Sequence, residues 1–123
     1  MGRVFAAKGF DRWSKIHDVD DAALTEAIDL ADRGAVAAQL GGGLVKLRIA
    51  RRGGGKSVGF RTIVALKVGE RAIFLYGFAK SEVDNIDAED LFRLKQFGKT
   101  LQRLDAEGIN KALASGQIRE INH

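Results

Sequence analysis

With 123 residues, 46% of them apolar and 29% charged, the chain has the length of one domain and the make-up of a soluble globular protein. It has no cysteine and only two histidines, the distant His17 and His123, which excludes disulfides, zinc ribbons and thiol catalysis and leaves no metal-ligand spacing. The net charge is +4, and the longest apolar run, eight residues over 72–79, falls far short of a membrane span.

Met1-Gly2-Arg3 leads straight into a short strand over 4–7, without the long apolar core of a secretory leader. Ala6 stands where an N-myristoylation motif wants Ser or Thr. Phe10, Trp13 and Ile16 recur at helical spacing and predict a brief amphipathic helix, with Phe10 and Trp13 as core anchors. A second helix is predicted over 20–33. Asp20 is its N-cap, Val19 and Leu24 are placed as a hydrophobic staple, and Leu24, Ala27, Ile28 and Ala31 form its apolar stripe. Gly34 ends it.

Gly41-Gly42-Gly43 turns the chain into a strand over 44–50. The run Arg51-Arg52-Gly53-Gly54-Gly55-Lys56-Ser57 reads as a flexible hairpin loop leading to a strand over 59–68. A tight turn at 68–71 starts the strand over 72–79, apolar on both faces as a central strand should be. The hydroxyl of Tyr76 on that strand is expected to meet a buried partner. Asp87 caps a long helix running to about Asp105, with Ile86 and Leu91 in staple positions. Its seam is Leu91, Leu94, Gly98 and Leu101, widened by Phe97 and Leu104. A short helix ending at Gly116 and an extended stretch over 117–121 complete the chain. The order is strand, two helices, three hairpin-linked strands, then helix. This is an α+β layer fold with a small, antiparallel-dominated sheet, in a single domain over 1–123.

Charge is unevenly distributed. Between Arg33 and Gly69 there are eight Lys and Arg and no acid, whereas 11–32 holds seven acids and two bases. One face is therefore expected to meet an anionic target and another to be neutral or acidic. Strand alternation puts Val45, Leu47 and Ile49 on one face and Lys46 and Arg48 on the other, where Arg61 of the next strand can join them. A rigid sheet presenting cations with no anion among them attracts phosphate, which points to nucleic acid and above all RNA.

RNA can be cleaved without metal or histidine. The 2′-hydroxyl attacks its own phosphate, so a site must take one proton, give another and stabilise charge on pentavalent phosphorus. Neighbouring cations lower a lysine's pKa, which would let Lys46 act as the base, while arginine stays charged and clamps phosphate oxygens in pairs. On spacing alone, a binding face without chemistry is the favoured reading. The run Gly53 to Ser57 is not a nucleotide-binding P-loop, because Ala50 occupies the first glycine position and the loop feeds a strand. It reads as a basic hairpin able to follow a phosphate backbone or, for Lys56 and Ser57 taken alone, equally as a merely solvated turn. His17 sits in the acidic helical half and supports no Ser-His-Asp arrangement. The pairs Asp20-Asp21 and Glu89-Asp90 fall in first helical turns, where the helix dipole explains them.

The ordered combination of Lys46-Leu47-Arg48, a glycine-rich turn, Gly59-Phe60-Arg61 and then Phe74-Leu75-Tyr76-Gly77-Phe78-Ala79-Lys80-Ser81-Glu82 resembles the RelE/HigB superfamily of bacterial toxins. The likeness is to the RelE-type branch with a Gly-Lys-Ser loop and a Phe-Ala-Lys-x-Glu segment. It covers the second strand to the start of the long helix, and the rest of the chain has the family's element order. The resemblance implies a RelE-like (microbial RNase-like) fold in the toxin of a type II toxin–antitoxin system. Such a toxin is a cytoplasmic, ribosome-dependent endoribonuclease that cuts mRNA without metal or other cofactor and so inhibits translation. The implied partners are mRNA, the ribosome and a cognate antitoxin that covers the cationic face and binds DNA through a helix-turn-helix domain; no membrane is involved.

By position, Lys46 matches the family's general-base lysine, Arg61 its phosphate-stabilising arginine and Arg48 a supporting basic residue. The family's acid-donating arginine aligns with Ser81 and its stacking tyrosine with about Asp87, which leaves Lys80 as the nearest basic replacement. The expected catalytic residues are thus Lys46, Arg61 and Lys80, with Arg48, Arg51, Arg52 and Lys56 docking RNA. Two rivals share the fold. One is a ParE-like inhibitor of DNA gyrase, and the other is a catalytically decayed toxin, motivated by Ser81.

Overall fold

The computed structural model describes residues 2–49, 59–79 and 86–122. Ten elements follow in chain order: β1 (Arg3–Ala7), α1 (Lys8–Ile16), α2 (Asp21–Asp32), β2 (Ala38–Gly41), β3 (Leu44–Ile49), β4 (Phe60–Lys67), β5 (Arg71–Ala79), α3 (Ala88–Gln102), α4 (Ala106–Ser115) and β6 (Ile118–Ile121). The strands form one six-stranded sheet in the order β2-β3-β4-β5-β1-β6. Every neighbouring pair is antiparallel except β1 with β5.

The α+β class and the antiparallel-dominated sheet agree with the sequence reading, but the element order does not match it fully. The structure adds β2 among the strands, places the expected short last helix at α4, and makes the extended tail a strand, β6, at the sheet edge beside β1. β2 exists because Gly41, Gly42 and Gly43 all take positive φ (82°, 62° and 81°), a run of backbone conformations that folds the chain tightly back as a hairpin onto β3. The long helix stops at Gln102 rather than near Asp105, because the Asp105 carboxylate accepts the Gly108 N–H at 2.8 Å and so starts α4. The expected caps at Asp20 and Asp87 are present, accepting from Ala23 and Asp90 N–H at 2.9 and 2.8 Å.

Helices cover both faces of the sheet. α1 and α2 pack Phe10, Leu24, Ala27, Ile28 and Ala31 against Val45, Leu47, Ile49, Phe60, Val64 and Phe74. Within α1, Ile16 is 69% exposed, contrary to the predicted stripe; the buried neighbour is Ser14, whose hydroxyl donates to the Asp11 carbonyl at 2.8 Å. On the opposite face α3 and α4 pack Leu101, Ile109 and Ala112, with Leu91, Leu94 and Phe97, against Phe5, Leu44, Ile63, Ala65, Ile73 and Leu75. Gly98 lets α3 approach closely, since a Cβ there would lie 3.1 to 3.3 Å from Leu44, Ala65 and Leu75.

Arginines fasten these layers to the sheet. Arg71 at the start of β5 donates to the carbonyls of Leu101, Gln102 and Leu104 at 2.9, 3.3 and 3.0 Å, satisfying the C-terminal carbonyls of α3. Arg119 on β6 binds Asp11 of α1 and both carboxylate oxygens of Asp21 in α2, at 2.8 to 3.0 Å. No helix among the described residues is long and apolar enough to cross a membrane.

Candidate nucleic-acid interface

The alternation expected for β3 is realised. Val45, Leu47 and Ile49 belong to the core beneath α1 and α2, while Leu44 on the other parity packs under α3. Lys46 and Arg48 share the parity of Leu44 and continue its row beyond the α3 contacts, Lys46 half-buried and Arg48 exposed. In the β3–β4 register Lys46 faces Ile63 and Arg48 faces Arg61. All three cations therefore stand on one side of the sheet. Directly opposed residues have Cβ atoms roughly 5 Å apart and diagonal ones roughly 7 to 8 Å apart. Arg48 and Arg61 are the opposed pair, and Lys46 and Arg61 the diagonal one.

Electrostatics set this cluster apart from the structural arginines. Arg3, Arg33, Arg93 and Arg119 each pair with a carboxylate. Among the described residues, no carboxylate pairs with Lys46, Arg48 or Arg61. Burial first, and the charge of Arg48 second, push the Arg61 guanidinium below its ordinary pKa. Among the described residues, its Nη1 donates only to the Phe60 carbonyl, at 3.5 Å. No carboxylate among those residues engages its donors, and an anion between the two guanidinium groups would remove their repulsion. The acid-rich helices α1 and α2 lie on the other face, so the charge asymmetry read along the sequence becomes an asymmetry between faces.

The remaining expected site residues, Arg51, Arg52, Lys56 and Lys80, lie outside the described residues, as does Ser81. Asp87, aligned with the family's stacking tyrosine, serves as the N-cap of α3. His17 is on the far face, its ring 4.9 Å from Trp13 and 5.3 Å from Phe60, and takes no part in the cationic cluster. Tyr76 corrects the sequence reading. It is 43% exposed rather than bonded in the interior, and it stands on the cationic face, because β5 pairs Tyr76 with Ile63 but Phe74 with Val64. Leu75 is the extra residue of a β-bulge, which exchanges the faces of the residues after it. Gly77 was the available hint, since glycine inside a strand often marks a bulge or a close backbone approach.

A sequence model for the family described as the RelE toxin of the RelE / RelB toxin–antitoxin system matches residues 2–121. The chain belongs to the RelE family and is a toxin of a toxin–antitoxin system, with an antitoxin as its partner. Among curated proteins none matches it.

Proposed function

We propose that this toxin is a ribosome-dependent mRNA endonuclease that inhibits translation by cleaving the message through 2′-hydroxyl attack. The observation that carries this reading is the convergence of Lys46, Arg48 and Arg61 on one sheet face, unpaired with any carboxylate among the described residues, with Arg61 opposite Arg48 and diagonal to Lys46. Lys46 removes the proton of the 2′-hydroxyl, which forms a bond to the adjacent phosphorus. Arg61 and Arg48 hold the non-bridging oxygens as negative charge builds on them. The bond to the 5′-oxygen then breaks, and Lys80 returns a proton to that leaving group. The step needs no external reactant and leaves a 2′,3′-cyclic phosphate.

In this scheme Arg51, Arg52 and Lys56 dock the basic loop on ribosomal RNA. The antitoxin, a helix-turn-helix DNA-binding protein, silences the toxin by laying a helix or acidic segment over the cationic face. The site of action is the cytoplasm. Adding purified protein to a translating lysate tests the scheme. Message fragments ending in cyclic phosphate support it, whereas intact message with blocked gyrase supports the ParE-like reading. Intact message with unaffected gyrase and no growth defect on expression points to a decayed toxin.

A further inference from the structure

A second group of cations stands well away from Arg48 and Arg61. Alternation along β4 puts Arg61, Ile63, Ala65 and Lys67 on one side of the sheet. Lys67 lies roughly 20 Å along the strand from Arg61, and α3 is seated on Ala65 between them. On that helix Lys95, Lys99 and its C-cap Arg103 follow at four-residue spacing and form one edge. Like charges so spaced repel and cost helix stability. By contrast, Lys15, Arg33, Arg93 and Lys111 each pair with an acid four residues earlier. Among the described residues, no carboxylate pairs with Lys67, Lys95, Lys99 or Arg103. The negative end of the helix does not explain the row, because Arg71 already binds its last carbonyls.

Lys67, Lys99 and Arg103 line a cavity of about 260 Å³, together with Gly42, Gly43 and Leu66. The stem of Lys95 lies across the glycine turn, with its Cγ and Cδ 3.2 Å from where a Gly42 Cβ would stand. We propose that this cavity binds a compact polyphosphate group, free or at the end of a nucleotide. Cations from two elements surround it, and an anion of several charges would end the repulsion along the helix edge. The cavity is smaller than the roughly 300 to 1,000 Å³ that encloses a drug-sized ligand, so an attached nucleoside would stay outside. A continuous RNA strand fits less well, because α3 covers the sheet surface between this cavity and the Arg48–Arg61 pair. The site does not depend on the cleavage reading.

The test titrates the full chain with inorganic tripolyphosphate by calorimetry, at fixed ionic strength. The Arg48→Gln/Arg61→Gln variant, which silences the other cations, should keep one saturable site. Adding Lys99→Gln to it should weaken that site by about 10- to 150-fold, the contribution of one charge-assisted hydrogen bond. Without ligand, the added Lys99→Gln should melt no lower than its parent, because it relieves the row of like charges. Displacement of tripolyphosphate by ATP assigns the site to nucleotide-borne phosphate, and failure to displace it assigns the site to the free chain; both support the proposal. No saturable binding in Arg48→Gln/Arg61→Gln overturns it, as does undiminished binding once Lys99→Gln and Arg103→Gln are combined. So does weaker binding of a 2′-O-methylated RNA oligomer by Lys99→Gln/Arg103→Gln with tripolyphosphate affinity intact, which would make the row an RNA contact. A wild-type protein that leaves message uncut but binds tripolyphosphate here would lose the cleavage reading and keep this site.

Discussion

Arg48 and Arg61 stand directly opposite each other across β3 and β4, two like charges with no carboxylate among the described residues to relieve them. The Arg61 pKa is depressed in the folded state, by burial and then by Arg48. The folded protein therefore bears its charge at a penalty wherever pH is below both the folded and unfolded pKa values, and the penalty fades only in strong alkali. At neutral pH it is always present, and it ends when an anion binds.

Removing one of the two charges should therefore stabilise the fold while weakening the site. Arg48→Gln is expected to raise unfolding free energy by about 0.2 to 1 kcal/mol and to lower mRNA cleavage. Urea titration and a cleavage assay on the same preparation check both halves. A lower urea midpoint would show that the pair is not repulsive. Inorganic phosphate should raise the wild-type midpoint more than chloride at equal ionic strength, by preferential binding to the folded state.

Lys46→Ala should reduce cleavage by about 10²- to 10⁴-fold, the contribution of a positioned base, with stability within roughly 0.5 kcal/mol of wild type. Lys46→Arg should not restore the rate, because arginine keeps its proton. Cleavage at the wild-type rate by either variant would remove Lys46 from the mechanism.

Gly77→Ala tests the close approach of α1 to β5. Its Cβ would overlap the Trp13 ring, so the variant should lose about 1 to 3 kcal/mol. Trp13 is the one tryptophan in the chain, so its fluorescence reports the displacement directly. An unshifted emission spectrum and an unchanged melting point would contradict the described packing.

Acid should loosen the α1–α2 layer before it affects the cationic face. Burial opposes ionisation of Asp11, but hydrogen bonds from Arg119 and Lys15, together with their charges, outweigh it and hold the carboxyl below the ordinary range. A depressed folded pKa means that the stabilisation is fully present above the unfolded value of about 4 and is lost as pH falls through the folded one. Arg119 is raised by Asp21, against burial, with Asp11 adding to the rise, so its share persists throughout the neutral range. Asp11→Asn should flatten the acid limb of a stability–pH curve, measured by denaturant unfolding between pH 2 and 7 (roughly the window of a carboxylate). An acid limb identical to wild type would assign the loss to other carboxylates.

Much of this molecule could be read from local chemistry. The alternation of β3 placed Lys46 and Arg48 together, and the caps at Asp20 and Asp87 placed the starts of α2 and α3, because each depends on residues only a few positions apart. What was not legible depends on distant partners or on a change of period. The bulge at Leu75 leaves an unbroken apolar run in the sequence, so only the register with β4 reveals where Tyr76 points. β2 is four residues with the weak pattern Ala-Gln-Leu-Gly, and it is defined by its hairpin with β3. β6 becomes a strand through pairing with β1, at the other end of the chain.

That last pairing has a consequence for biosynthesis. β1 is translated first, yet its neighbours are β5 and β6, with Val4 beside Ala72 on one flank and Ile121 on the other. A nascent polypeptide carries this strand with an open flank until residue 121 has been added, so prematurely terminated products have an unzipped border prone to stray pairing. Assembly of the whole sheet therefore waits for synthesis of β6 and so depends on translation, the process this toxin is proposed to stop.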